Sequence, residues 1–317
     1  MKKILITRKL IKSSEEHAQK LFKAKLNRED KLLTKEEIIK ESDGCDGILS
    51  SLTEKFDSDL ILRLPETVKI ISNFAVGFGN IDLVAAKNRN IIVTNTPDVL
   101  TEATAEIAML ILLGSARRAK EGVEWVNKKN WKWSADFLMG KQLTGARLGI
   151  LGMGRIGRAV ADRARSFGMK IHYFNRSRLE AKLEKDAVYH KSLESLLSVS
   201  DFFSINCPAT KETKNIINKN TIKYFPDGAV VSNSARGDMI DDEAMVEALK
   251  NGKIFSLGLD VYNGEPNIHP EYLTLPNVYV LPHLGSATKK TRTAMADLAV
   301  NNIDEFFKIG KCKNTVN

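Results

Sequence analysis

The sequence of 317 residues predicts an α/β protein with two doubly wound parallel sheets, one domain being inserted into the other. Strand and helix patterns alternate along nearly the whole chain, which is typical of parallel sheets with helical crossovers. A glycine-rich turn at residues 152–157 follows an apolar strand in mid-chain. The length suits about two domains, each large enough to bury its own core.

The first hundred residues have the pattern of a separate domain. Apolar runs predict strands at residues 3–7, 47–50, 68–72 and 91–94. Helical spacing predicts a helix at residues 14–26 and a long, unusually apolar helix at residues 101–127. We expect the long helix to belong to the core, or alternatively to connect the domains or form a dimer contact.

Residues 147–157 form a short apolar strand that runs into the motif G-x-G-x-x-G. The first glycine of this motif, Gly152, makes the tight turn; Gly154 admits phosphates to bare backbone at a helix N-terminus, and Gly157 lets helix and strand pack closely. A helical pattern at residues 155–167 and a strand at residues 170–174 complete a β-α-β unit. Glycine-rich turns also occur without ligands, but this context predicts a bound dinucleotide.

The segment that ends the next strand bears on the choice of cofactor. An acidic side chain at this point accepts hydrogen bonds from the ribose hydroxyls of NAD and repels a 2′-phosphate. The chain has Asn175 there, followed by Arg176, Ser177 and Arg178, which offer donors suited to a phosphate dianion. The alternative is that both arginines are merely solvated. The sequence favours NADPH, with NADH possible.

The α/β alternation continues to the end of the chain. Further strands are predicted at residues 201–205, 229–232, 256–259 and 278–281, and a final helix at residues 288–307. We therefore expect a nucleotide-binding domain over residues 100–284, inserted into a domain formed by residues 1–99 and 285–317.

Composition and charge exclude several classes of protein. The formal charge is +9, but the lysines are scattered over polar helix faces without interleaved aromatic residues, so we expect no nucleic-acid partner. The N-terminal apolar run is too short for a signal peptide, and no segment approaches the length of a membrane span. The three cysteines lack metal-ligand spacing, which predicts reduced thiols, no metal site and a cytoplasmic location.

Three charged residues follow predicted strands of the second domain and suggest the chemistry. Arg236, Glu265 and His283 can converge because ligands bind at the carboxyl ends of the strands in an open α/β sheet. An arginine can clamp a carboxylate, a histidine can protonate a carbonyl oxygen as hydride arrives, and a carboxylate can orient the histidine. Each alone could be a surface or structural residue, but together they suit the reduction of a 2-oxo acid.

The chain resembles the D-isomer-specific 2-hydroxyacid dehydrogenase family over nearly its whole length. The resemblance rests on the glycine motif and on five further segments: residues 73–82, 206–210, 234–237, 260–266 and 282–288. It implies a Rossmann nucleotide-binding domain inserted into a flavodoxin-like substrate domain, and a homodimer formed through the nucleotide-binding domain.

The resemblance also implies roles for individual residues. Arg236 binds the substrate carboxylate together with the backbone amides of Val76 and Gly77; His283 is the acid/base and Glu265 its partner. Thr104 and Asp260 contact the nicotinamide half of the cofactor, although Asp260 could equally bind neighbouring backbone. Further cofactor contacts are expected at Arg155, Ile156, Cys207, Pro208, Thr213, Ser234, Ala235, His283, Gly285 and Ser286.

Within the family, the chain is most similar to the glyoxylate and hydroxypyruvate reductases. We expect it to reduce a small 2-oxo acid to the D-2-hydroxy acid, with Leu52 and either Trp133 or Trp131 near the substrate. Alternatives are 2-ketogluconate reductase, D-lactate dehydrogenase and phosphoglycerate dehydrogenase. From another class, a nucleotide-sensing protein similar to transcriptional corepressors is possible, but the complete set of Arg236, Glu265 and His283 argues against it.

Overall fold

The computed structural model describes residues 1–129 and 132–317. Over these residues the chain divides into two compact units. The discontinuous unit comprises Met1–Leu100 and Ala287–Asn317, and the inserted unit comprises Thr101–Ser286. Each has a parallel β-sheet with helices connecting its strands, which confirms the predicted fold class.

The first part of the discontinuous unit alternates strands and helices. Its elements are β1 (Lys3–Ile6), α1 (Lys12–Leu21), β2 (Lys23–Leu26), α2 (Lys35–Glu41), β3 (Gly47–Ser51), α3 (Ser58–Arg63), β4 (Ile70–Phe74), α4 (Leu83–Asn88) and β5 (Ile92–Thr94). The sheet has the order β2-β1-β3-β4-β5, which is the flavodoxin-like order. Strands β1, β3 and β4 are almost entirely buried and form the core of this unit.

The prediction of a single helix at residues 14–26 was wrong. Helix α1 ends at Leu21, and Lys23–Leu26 instead forms a strand in parallel register with β1. Lysine, alanine and leucine all favour helices in isolation, but pairing with β1 and burial of Phe22 outweigh that local preference.

The inserted unit contains the glycine motif. Its elements are α5 (Thr101–Ala116), α6 (Ala119–Asn127), β6 (Arg147–Leu151), α7 (Arg155–Ser166), β7 (Lys170–Phe174), α8 (Ala181–Glu184), β8 (Val188–His190), α9 (Leu193–Leu197), β9 (Phe202–Ile205), α10 (Lys219–Ile222), β10 (Ala229–Asn233), α11 (Asp242–Lys250), β11 (Ile254–Leu259), α12 (Pro270–Thr274) and β12 (Val278–Val280). The sheet order is β12-β11-β10-β9-β6-β7-β8. Because β6 lies where the order of the strands reverses, the turn after it is the expected ligand-binding point of a doubly wound sheet.

The prediction of one helix over residues 101–127 was also wrong. The helix breaks after Ala116, where Arg118 adopts a left-handed conformation with φ of +54°. The carbonyl of Ala116 accepts a hydrogen bond from the Lys141 amide at 2.8 Å. Gly140 lies so close that an added Cβ would be 2.4 Å from the same carbonyl oxygen. The helix therefore ends where the backbone of residues 140–141 packs against it, although the helical sequence pattern continues.

The chain closes the discontinuous unit with α13 (Lys289–Ile309), which packs on its sheet. The hydroxyl of Ser72 in β4 donates to the Ala299 carbonyl of this helix at 2.9 Å. After the helix, Thr315 forms an isolated antiparallel bridge with Thr94 at the edge of the sheet. Among the helices described, none combines the length and the apolar character needed to cross a membrane.

Candidate active site

The three glycines of the motif occupy different environments. Gly152 has φ of +92°, and a Cβ there would lie 2.6 Å from the Cys207 amide nitrogen. A Cβ on Gly157 would lie 2.2 Å from the Gly152 carbonyl oxygen, so helix α7 packs directly on the turn. Around Gly154, at the N-cap of α7, no described atom lies within 4 Å of such a Cβ. The turn therefore leaves open space beside bare backbone at a helix N-terminus, which fits a pyrophosphate.

The segment expected to bind the cofactor ribose follows β7. The Asn175 side chain accepts a hydrogen bond from the Met153 amide at 2.7 Å, so it braces the glycine turn. Arg176 and Ser177 are exposed. The guanidinium of Arg178 instead pairs with the Glu184 carboxylate, with Nε and Nη2 at 2.9 and 3.0 Å from its oxygens. The two arginines assigned to one phosphate thus have different surroundings.

The segment after β9 packs against the glycine turn. Burial raises the pKa of the Cys207 thiol to about 11, so the thiol stays protonated at neutral pH. Thr213 closes the loop, since its hydroxyl donates to the Pro208 carbonyl at 2.9 Å and accepts from the Thr210 amide at 2.7 Å. The loop that contains Cys207 and Pro208 is therefore held in place beside Gly152.

Arg236 lies on the loop after β10, next to Ser234 and Ala235. The fully buried side chain of Asn233 accepts from the Ala235 amide at 2.9 Å and donates to the Arg236 carbonyl at 2.7 Å. Burial lowers the pKa of the Arg236 guanidinium, and the charges of nearby carboxylates oppose that effect. The side chain remains a cation at neutral pH because the pKa of arginine starts so high.

Gly237 brings the loop after β10 against the loop after β11. A Cβ at this position would lie 1.9 Å from the carbonyl carbon of Tyr262. Only glycine allows that backbone approach. Glu265 follows Tyr262 by three residues, and its charge is among those that act on the pKa of Arg236.

Glu265 and His283 form a direct pair. The distance between His283 Nδ1 and Glu265 Oε2 is 2.7 Å, and the Tyr262 amide donates to Glu265 Oε1 at 3.1 Å. Burial acts to raise the pKa of Glu265, but the hydrogen bond and charge of His283 outweigh it and hold this pKa below its usual range. Glu265 is therefore ionised at neutral pH, and within the described residues Nε2 of His283 makes no hydrogen bond.

His283 occupies a turn that is clamped from two sides. Its φ is +55°, a left-handed conformation that is sparsely populated by non-glycine residues. The buried Asp260 carboxylate accepts from the amides of Leu284 at 2.6 Å and Gly285 at 2.8 Å. The Thr104 hydroxyl donates to the Gly285 carbonyl at 3.1 Å. Asp260 thus has the backbone contacts that were the alternative to a cofactor contact, and it holds the turn with His283 in place.

The loop after β4 in the discontinuous unit presents backbone rather than charged side chains. We call residues 75–79 the amide loop. The Asn95 side chain donates to the Val76 carbonyl at 2.8 Å, and the Asn73 side chain donates to the Gly77 carbonyl at 3.0 Å. The amides of Val76 and Gly77 donate to no acceptor in the part of the chain that the structure describes. With the carbonyls held and the amides unused, the loop is suited to bind an anion.

Comparison with known proteins agrees with this geometry. The family profile described as "D-isomer specific 2-hydroxyacid dehydrogenase, NAD binding domain" matches residues 109–285. Glycerate dehydrogenase of Hyphomicrobium methylovorum is 45% identical over 309 residues, with 96% of each chain covered. The chain belongs to the D-isomer specific 2-hydroxyacid dehydrogenase family. It is therefore a relative of NAD(P)-dependent oxidoreductases.

Other members of the family resemble the chain over nearly its full length. Glyoxylate reductase of Thermococcus kodakarensis is 40% identical, with 96% of this chain and 92% of that protein covered. A solved structure of an NADPH-dependent glyoxylate/hydroxypyruvate reductase from Sinorhizobium meliloti, in complex with NADP and malonate, has a TM-score of 0.89 and 32% identity. That alignment covers 99% of this chain and 96% of that one.

The side chains expected to set substrate specificity lie on exposed segments. Leu52 is 41% exposed on the loop after β3, where the buried Glu54 carboxylate accepts from the Ser51 amide at 2.8 Å. Trp133 is 80% exposed, and Trp131 lies outside the described residues. The contacts of Leu52 and Trp133 within their own units do not assign either side chain to a substrate.

Sequence reasoning missed three asparagines that brace loops within the two units. Asn73, Asn95 and Asn233 each lie near the end of a strand. The side chains of Asn73 and Asn233 bind the loops that follow their own strands, whereas that of Asn95 binds Val76 in the loop after β4. An asparagine at a strand end is a known turn signal, because its amide mimics a backbone turn. That signal was present, but it does not say which loop the side chain holds.

Proposed function

We propose that this protein reduces glyoxylate or hydroxypyruvate to glycolate or D-glycerate. The observation that carries the proposal is the 2.7 Å pair of His283 and Glu265, on loops of the same unit as Arg236. Relatives named glyoxylate reductase and glycerate dehydrogenase, aligned over nearly the whole chain, support the choice of substrate.

The proposed mechanism gives each residue a distinct task. When bound, the reduced nicotinamide cofactor supplies the hydride for the C2 carbonyl. Arg236 binds the substrate carboxylate through its planar donor fork and polarises the adjacent carbonyl. His283 gives a proton from Nε2 to the carbonyl oxygen. The ionised Glu265 accepts a hydrogen bond from Nδ1–H, which fixes the tautomer and stabilises the imidazolium.

We assign the amides of Val76 and Gly77 to the binding of the substrate carboxylate as well. Asn73 and Asn95 support this assignment because they occupy the carbonyls and leave the amides for a ligand. Small anionic substrates depend on such contacts for orientation, since they offer little apolar surface.

We propose NADPH as the preferred cofactor, with the glycine turn holding its pyrophosphate. The segment after β7 has no acid at position 175 to repel a 2′-phosphate, and Arg176 is exposed. The NADP complex of the Sinorhizobium reductase is consistent with this preference.

A panel of 2-oxo acids assayed with NADPH and with NADH tests the proposal. We expect the highest kcat/KM for glyoxylate or hydroxypyruvate with NADPH. Pyruvate and 2-ketogluconate serve as the competing substrates. A higher kcat/KM for either competitor would reject the assigned substrate class, and a higher kcat/KM with NADH would reject the cofactor preference.

We further propose a cytoplasmic homodimer formed through the inserted unit. Free thiols at all three cysteines suit a reducing compartment. Helices α5 and α6 expose Leu110, Val123 and Val126, the last at 64%, and exposed apolar side chains of this kind favour association. Sedimentation velocity tests the dimer: V126E should shift it toward monomer, whereas V84E, at an exposed valine of α4, should not.

A further inference from the structure

Glu184 is a buried carboxylate beside the segment assigned to the cofactor ribose. It ends α8, and its side chain is 8% exposed. The Tyr173 hydroxyl donates to Oε1 of Glu184, and the Leu179 amide donates to that hydroxyl at 3.0 Å. These contacts tie the end of β7 and the segment that follows it to one carboxylate.

Arg178 is committed to the same carboxylate. Its Nε and Nη2 donate to the two carboxylate oxygens of Glu184, which is the two-pronged geometry that arginine otherwise offers to a phosphate. The hydrogen bonds from Arg178 and then from Tyr173 lower the pKa of Glu184, so the carboxylate is ionised at neutral pH. Its charge offsets that of Arg178.

Arg176 differs from Arg178 although it lies only two residues away. Both side chains are exposed, that of Arg178 at 66%, but Arg176 makes no hydrogen bond or salt bridge within residues 1–129 and 132–317. Its charge acts on the Glu212 carboxylate without a direct ion pair. Its donor fork is therefore open to a ligand. The sequence presents two equivalent cations, whereas the structure presents one open cation and one neutralised pair.

We propose that Glu184 is a positioning residue that withholds Arg178 from the 2′-phosphate of NADPH. Arg176 then makes the cationic contact alone, and the chain discriminates less strongly between NADPH and NADH than two open arginines would. This inference rests on the proposed function, because it refines the cofactor preference stated there. It adds a determinant from α8, outside the segment of residues 175–178.

The decisive measurement is the ratio of the NADH and NADPH dissociation constants, determined by calorimetry for single variants. We expect E184Q to raise the ratio of the NADH to the NADPH dissociation constant about tenfold, and R176A to lower this ratio about tenfold. A hydrogen bond to a charged group contributes on that scale. R178A should weaken both cofactors in parallel by loosening the loop. E180Q is the matched control: it removes an exposed carboxylate that, among the described residues, pairs with Lys182 alone at 3.5 Å, and should leave the ratio unchanged.

Two results would overturn the inference. The first is that R178A lowers the ratio of the NADH to the NADPH dissociation constant as far as R176A does. The second is that this ratio is no higher for E184Q than for E180Q. If E184Q does not fold, the comparison of R176A with R178A still decides. The proposed function fails separately, through absent turnover of 2-oxo acids or through tighter binding of NADH by the unaltered protein, and neither result depends on Glu184.

Discussion

The two regions proposed to contact the 2-oxo acid are built in opposite ways. In the amide loop of the discontinuous unit, backbone amides are proposed to contact the ligand, and the side chains of Asn73 and Asn95 hold the backbone by its carbonyls. In the inserted unit, charged side chains are proposed to contact the ligand, and a backbone group positions one of them. The Glu265 carboxylate that pairs with His283, for example, accepts a hydrogen bond from the Tyr262 amide at 3.1 Å.

This difference predicts how each region responds to substitution. In the proposed mechanism His283 and Glu265 act on the reacting carbonyl, so their loss should lower kcat. Neutral amides only bind the carboxylate, so disturbing them should raise the KM for the 2-oxo acid. Substitutions in the two regions thus distinguish chemistry from binding.

The largest effect is expected for H283A. Loss of the proton donor should lower kcat by about 10² to 10⁴, with the dissociation constant of NADPH nearly unchanged. Steady-state kinetics and calorimetry measure both quantities. H269A is the matched control, because His269 in the same unit also pairs with a carboxylate, that of Glu243 at 3.1 Å. Equal turnover of the two variants would reject His283 as the acid/base.

E265Q should lower kcat by on the order of a hundredfold, because a glutamine no longer stabilises the imidazolium or selects its tautomer. The effect should fall on kcat more than on the KM of the 2-oxo acid. A rise in KM with unchanged kcat would assign Glu265 to binding and remove the contrast between the two regions.

E265Q also makes a prediction for stability. The pKa of Glu265 is lowered in the folded chain, so its contribution to the free energy of unfolding is present above its unfolded-state pKa. That contribution is lost as pH falls through the folded-state pKa. Urea unfolding at about pH 6 and about pH 3 should therefore show a difference between the unaltered protein and E265Q that shrinks at the lower pH.

The charged residues of the inserted unit were accessible to sequence reasoning because their chemistry is visible in their identity. Arg236, Glu265 and His283 follow predicted strands, and the order of a doubly wound sheet places strand ends together. The fold class followed from the alternation of strands and helices and is confirmed. In contrast, the boundary of α1 with β2 and the break after α5 depend on contacts between residues distant in sequence.

The supports of the amide loop could not be predicted in the same way. Asn95 and Val76 are separated by a helix and a strand, and an asparagine side chain binds any backbone group that lies within reach. Likewise, the pairing of Arg178 with Glu184 depends on how α8 packs beside β7. Residue type gives the chemistry of a site, but tertiary packing decides which of its groups are open to a ligand.

N95A tests the amide loop directly. Loss of the hydrogen bond to the Val76 carbonyl frees the loop, and we expect the KM of the 2-oxo acid to rise about tenfold with little change in kcat. The exposed Asn88 at the end of α4 provides the control N88A. If N95A lowered kcat as strongly as E265Q does, the amide loop would take part in the chemistry and the comparison would fail.

The smallest effect is expected one step further from the loop. The buried Asn302 in α13 donates to the Asn95 carbonyl at 3.0 Å and accepts from the Asn314 side chain at 2.8 Å. Asn302 thus holds Asn95, which in turn holds Val76. We expect N302A to raise the KM of the 2-oxo acid about threefold, which is less than the effect of N95A. A net hydrogen bond contributes about 1 kcal/mol, and this one acts on the loop only indirectly. In the double variant N95A/N302A the second change should add nothing to KM, since the route through the Asn95 side chain is already broken. An additive increase would show that α13 acts on substrate binding through a contact other than Asn95.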